Sequence, residues 1–228
     1  YHHAAEMSEP RVPRTDAALP SPADVAGRAR LTRAGIVLAA VLLAAKAYAA
    51  WLSSSLAVLS DAMNSFLDLF TYAALDWSVR QGGRAPDVDH HYGHGRAEPM
   101  AGFFISIAAV LLGAAIVRDA ASGLLFAHQD PVWNRPTVWI LVFSMASKAV
   151  MAVLYRSRAR TARSLALQAS YEDSRNDVLA SGVALAGFAL GGRWDEAAGL
   201  LIGLFILASG VRLGMESGGH LMGKAPPD

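Results

Sequence analysis

The chain has 228 residues, 54% of them hydrophobic and only 17% charged, against roughly 25% charged in soluble domains. Its mean hydropathy is +0.31. A net charge of +1 offers no basic field for nucleic acid, and the lack of cysteine excludes disulfides, thiolate metal ligands and cysteine nucleophiles.

In chain order, Tyr1-His2-His3-Ala4-Ala5-Glu6 reads as the remnant of an affinity tag, with Met7 as a native start. His2 and His3 therefore carry no functional weight. Residues 7 to about 28 are rich in Pro, Asp, Glu, Arg and Ser without an apolar period, so residues 1–28 are expected to be a disordered cytoplasmic tail. The first apolar run starts near residue 31 and is too long for a cleavable signal peptide.

From there the pattern predicts an all-α integral membrane protein, a bundle of six transmembrane helices over residues 29–222. The expected spans are Leu31 to Leu52, Leu56 to Arg80, Arg96 or Ala97 to Leu125, Thr137 to Tyr155, Ala162 to Leu190, and Trp194 to Leu213. Each is long enough to cross roughly 30 Å of hydrocarbon at about 1.5 Å per residue. Residues 223–228 read as the start of a second cytoplasmic tail. Of 20 lysines and arginines, only Arg118, Arg135 and Arg193 fall on the side away from the termini, while Lys46, Lys148 and Arg175 lie within spans. The positive-inside rule then puts both termini in the cytoplasm, the arrangement of a multi-pass protein of the inner membrane. Gly199-x-x-x-Gly203 in the sixth span is a spacing for close helix packing, with a dimer contact as the lesser reading.

The informative residues are acids inside spans two and five. Span two carries Asp61, Asn64 and Asp68, and span five carries Glu172, Asp173 and Asp177. A carboxylate at the bilayer centre costs roughly 2.5–3.5 kcal/mol on insertion scales, so such residues are functional by default. Asn64 and Asp68 are four apart, as are Asp173 and Asp177, so each pair occupies one helix face. The spans are antiparallel and the pairs match in depth. One amide and three carboxylates are thus expected to meet near the midplane as an all-oxygen cage for a divalent cation. The competing reading is an ion-pair network with Lys46, Lys148 and Arg175. Arg175 projects from another face than Asp173 and Asp177 and is expected to serve Asp61 or Glu172, and Asp61 is expected to be structural.

These residues resemble the cation diffusion facilitator family over residues 31–228. Ser53-Ser54-Ser55-Leu56-Ala57-Val58-Leu59-Ser60-Asp61-Ala62 looks like the start of that family's second helix. Asp173-Ser174-Arg175-Asn176-Asp177-Val178-Leu179-Ala180-Ser181 looks like its fifth-helix signature. Asp87-x-x-His90-x-x-Gly93-His94-Gly95-Arg96-Ala97-Glu98 resembles its loop between helices two and three. The resemblance implies a secondary active transporter, a homodimer in the lipid bilayer that exports metal from the cytoplasm by proton antiport and has no resident cofactor. By position its transport site maps onto Asn64, Asp68, Asp173 and Asp177, and a secondary metal site onto Asp87, His90 and His94.

Zinc transporters of the family usually place histidine in the four-residue site, and here there is none. The set is similar to that of bacterial manganese exporters. Oxygen donors suit Mn2+, though Fe2+, Zn2+ and Cd2+ remain open as cargo. Most members continue into a cytoplasmic ferredoxin-like domain, whereas this chain stops at Asp228, as a natural short form or a cut one. Three carboxylates so close cannot all stay charged without a cation, which gives proton exchange a physical basis. Two other classes share features with the chain. A metal-dependent membrane phosphotransferase resembles the chain only through Asp173 and Asp177 and lacks here its preceding Asp-Gly-x-x-Ala-Arg run. A passive cation channel differs from a carrier in its ohmic current.

Overall fold

A computed structural model describes residues 22–82, 97–126, 130–162 and 165–222. The described residues form six helices and no strand. They are α1 (Pro22–Ser53), α2 (Leu56–Gly82), α3 (Ala97–Leu125), α4 (Arg135–Ala162), α5 (Leu165–Leu190) and α6 (Arg193–Leu221). Contacts divide the chain into residues 1–34 and a body of residues 35–228.

The helices match the expected spans with four differences, one being that Ala162, expected to open the fifth span, ends α4 while α5 begins at Leu165. α1 is already helical at Pro22, inside the stretch expected to be disordered. Proline at a first helical position gives up an N–H that would be unpaired anyway and has its φ preset for the helix. α4 continues through the arginine-rich end to Ala162, and α6 continues to Leu221. Composition alone makes α1, α3, α4 and α6 apolar enough to cross a membrane, at residues 36–53, 99–125, 135–157 and 193–219. α2 and α5 have the length but carry the acids, and they are shielded by packing on α3, α4 and α6.

Local chemistry sets the turns. Ser54 takes a left-handed φ of 50° between α1 and α2. Ser55 then caps α2, its hydroxyl accepting the Val58 N–H at 3.1 Å. A residue of α6 completes that cap, since Asp195 accepts from the Ser55 hydroxyl at 2.5 Å and the Leu56 N–H at 2.7 Å. Asn134 caps α4 through the Thr137 N–H at 2.9 Å. Gly191 and Gly192, at φ 66° and 53°, turn α5 into α6, a backbone conformation that costs only glycine nothing.

The most extensive packing is between α3 and α6. A Cβ on Gly203 would stand 2.7 Å from Ile116 Cγ2, and one on Gly113 would stand 2.7 Å from the Leu207 amide nitrogen. Gly199 faces Leu56 in the same way. The Gly199-x-x-x-Gly203 spacing is therefore used inside the chain, by helices that approach closely because side chains are missing at the crossing. One apolar cluster joins Ala57 and Leu67 of α2 to Ala109 and Ile116 of α3, Ala184 of α5, and Ala198, Ile202 and Ile206 of α6. A second joins Ala49, Ala50, Val58, Leu141 and Phe188 across α1, α2, α4 and α5.

Candidate metal site between α2 and α5

α2 presents Asn64, Asp68 and Tyr72 at successive four-residue steps, a stripe along one face. α5 presents Asp173 and Asp177 in the same way. The two stripes meet. Asn64 Nδ2 donates to Asp177 Oδ1 at 3.0 Å and, at the long limit of 3.5 Å, to Asp68 Oδ2. The Tyr72 hydroxyl donates to Asp173, and the Lys148 ammonium of α4 is ion-paired with Asp177. Asp177 is 1% exposed, so its charge has almost no access to water.

Asn64, Asp68, Asp173 and Asp177 line one cavity of about 170 Å³. Thr71 and Asn176 add polar groups from the same two helices. Ile105 and Ala109 of α3 and Phe205, Ser209 and Leu213 of α6 close it. The four residues singled out from spacing are thus brought to a common space. Among the described residues, no three carboxylates or imidazoles are already drawn tightly enough together to hold a metal ion. The hydrogen bonds explain this: Asp173 is turned to Tyr72, and Asp177 is shared between Asn64 and Lys148. The arrangement collects acidic oxygens around a cavity but ties two of the three carboxylates to protein donors.

Asp61 belongs to a separate centre. It pairs with Lys46 at 2.9 Å, both side chains fully buried, and accepts from the Ser181 hydroxyl at 3.0 and 3.1 Å. Lys46 also donates to Ser65 and to Ser181, both at 2.9 Å. The centre bolts α1 to α2 and α5, and the structural role expected for Asp61 is the one its contacts describe. Arg175, by contrast, does not serve it. Arg175 and Glu172 both lie exposed on the outer face of α5, and no ion pair joins them among the described residues. The correction has a geometric reason: Arg175 is two residues from either acid of the site, about 200° around the helix, and so points away from the bundle interior.

Tyr72 escaped the sequence reading although its signal was present, four residues beyond Asp68 on the same face. Ser209 escaped because α6 carries no acid to draw attention to that depth. Asp87, His90 and His94, with Asp89 and His91, lie outside the described residues.

Residues 32–222 match the model of the cation efflux transmembrane domain. The chain is 31% identical over 212 residues to the cation-efflux pump FieF of Yersinia enterocolitica, covering 88% of this chain and 69% of that protein. It is 31% identical over 199 residues to the pumps of the same name from Yersinia pestis and Yersinia pseudotuberculosis, covering 84% of this chain and 65% of theirs. The chain therefore spans about two thirds of the length of these relatives.

Proposed function

The chain belongs to the cation efflux family and carries its transmembrane domain, a transporter's and not an enzyme's, in a multi-pass protein of the inner membrane; from that premise we propose that it exports a divalent transition-metal cation from the cytoplasm in exchange for protons. The observation that carries the reading is the Asn64–Asp177 hydrogen bond at 3.0 Å. It ties the Asn-Asp pair of α2 to the Asp pair of α5 around one cavity, where a cation can gain oxygen ligands from both helices.

The cargo ligands in this proposal are Asp68, Asp173 and Asp177, with the side-chain oxygen of Asn64. The amide of Asn64 turns its nitrogen to Asp177 and must turn over to offer its oxygen. Lys148 must release Asp177, since an ammonium and a metal ion cannot share the same face of one carboxylate. Tyr72 has no such conflict. A neutral hydroxyl can keep one oxygen of Asp173 while the metal takes the other, as outer partners of metal ligands commonly do. An oxygen-only donor set favours Mn2+, with Fe2+, Zn2+ and Cd2+ as weaker expectations, because nitrogen and sulfur donors are what select the later metals.

Proton exchange follows from charge. A divalent cation leaving the bundle strands carboxylates in low dielectric, and protons arriving in its place keep the buried charge near constant. In the same proposal, Asp87, His90 and His94 form a secondary site on the cytoplasmic loop, and two copies of the chain form the working unit.

The test is metal uptake into proteoliposomes with Mn2+, Fe2+, Zn2+ and Cd2+ under an imposed pH gradient. Saturable Mn2+ flux that drives counter-movement of protons, and that disappears in Asp68→Ala and Asp177→Ala, is the expected result. Flux unchanged in both variants sinks the assignment of the site. Ohmic single-channel current would replace the carrier with a channel.

A further inference from the structure

At the end of the bundle away from the Asn64–Asp177 cavity, between the ends of α1, α2, α3 and α6, lies a larger cavity of about 670 Å³. Asp119, Asp195 and Glu196 line it, together with the hydroxyls of Ser54, Ser55 and Ser122, and among the described residues no lysine, arginine or histidine does. The three acids differ in their commitments. Asp195 is spent on the cap of α2. Asp119 stands at the exposed rim beside Arg118, at 2.8 Å. Glu196 is 4% exposed, and its Oε2 is sealed from solvent without any hydrogen-bond partner.

A buried carboxylate oxygen with no donor is costly, and native structures compensate such groups with a proton, a water or an ion. The wall is shaped for this side chain. A Cβ on Gly123 would stand 2.7 Å from Glu196 Cγ, so a side chain there would push Glu196 out of its present position. The lining offers carboxylate and hydroxyl oxygens with no imidazole or amine, and its one sulfur, the thioether of Met63, is a soft donor that hard divalent cations do not take. The cavity is also large beside the roughly 30 Å³ that one water occupies in the liquid, so an ion there keeps much of its hydration shell. Met63 lines this cavity and packs on the apolar cluster that includes Leu67 and Ile206, which line the other one. Apolar side chains of that cluster thus lie between the two acidic chambers.

We propose that this vestibule is a second cation site, distinct from the one between α2 and α5, that takes a hydrated divalent cation with Glu196 as its inner anchor and Asp119 as its rim. The site exchanges its ion rapidly and holds it weakly, because most ligands are waters and the cavity opens outward. It stands whether or not the transport proposal does, since it rests on other residues.

The chain has no cysteine, so one introduced at Leu125, which is 74% exposed at the end of α3, accepts a nitroxide label at a unique position. Asp119 is six residues from the label, about 9 Å along the helix, whereas Ala109, level with the α2–α5 cavity, is about 24 Å away. Addition of MnCl2 to the labelled full chain in detergent is expected to speed nitroxide relaxation along a saturating curve. The same curve should persist in an Asp68→Asn/Asp177→Asn background, which separates this proposal from the failure of the transport site. Glu196→Gln is expected to abolish the saturable part. Asp119→Asn, a surface change that leaves folding intact, is expected to weaken it several-fold. A curve unchanged in both variants, or the lack of any saturable relaxation in the unsubstituted chain, overturns the proposal.

Discussion

Lys148 of α4 and Asp177 of α5 are ion-paired inside the bundle, with both side chains almost wholly buried. The same carboxylate accepts from Asn64 of α2, so one aspartate links three helices. A group that holds the bundle together is thus also a proposed ligand for the cargo, and the two duties compete.

That competition predicts the effect of Lys148→Met. Removing the ammonium frees Asp177, and Mn2+ affinity should rise roughly tenfold or more, in line with a charged hydrogen bond worth about 1.5–3 kcal/mol. Isothermal titration calorimetry on the detergent-solubilised protein measures this. Weaker binding would mean that Lys148 props the site open and does not compete for it.

Tyr72→Phe should do the opposite. The hydroxyl can remain on Asp173 when a metal binds, so its loss removes a positioning contact. Mn2+ affinity should fall roughly tenfold, the lower end of what outer partners of metal ligands contribute. The same titration checks it, with helical content by circular dichroism as the folding control.

Asn64→His should shift preference among metals. An imidazole introduces a nitrogen donor into an all-oxygen set, and nitrogen suits zinc better than manganese. Uptake of Zn2+ relative to Mn2+ in proteoliposomes is expected to rise. An unchanged ratio would place Asn64 outside the metal's reach.

Lys46→Met and Asp61→Leu should each destabilise the fold without touching the proposed metal ligands. Each leaves one buried partner uncompensated, at a cost of about 3–5 kcal/mol. The double variant Lys46→Met/Asp61→Leu should recover most of the loss, since an apolar pair carries no desolvation penalty. Thermal unfolding in detergent reads all three, and additive losses in the double variant would refute the pairing.

Gly203→Leu should separate α3 from α6. A side chain there would collide with Ile116 and Val117, and overpacking of this kind costs about 1–3 kcal/mol. The same thermal measurement should show it, with no change in oligomeric state, because the contact lies within one chain.

The six helices, their order and the places of the acids along them were legible in the sequence because hydropathy and the 3.6-residue period are local properties. The same period put Asn64 with Asp68 and Asp173 with Asp177 on common faces, and a search for that period among uncharged residues would have added Tyr72. The start of α1 was not legible, since a polar composition describes what cannot form a core and says little about a helix that begins on a proline.

By itself the sequence determined that four oxygen-bearing side chains sit on two antiparallel helices at one depth. Only the tertiary structure decided which cation each acid meets. Lys46 takes Asp61 and Lys148 takes Asp177, while Arg175, nearest of the three in the chain, faces outward. The physical reason is that charge pairing across a bundle depends on how each helix is rotated about its axis. That rotation is fixed by packing over the whole length of neighbouring helices, such as the close crossing of α3 and α6, and no local spacing records it.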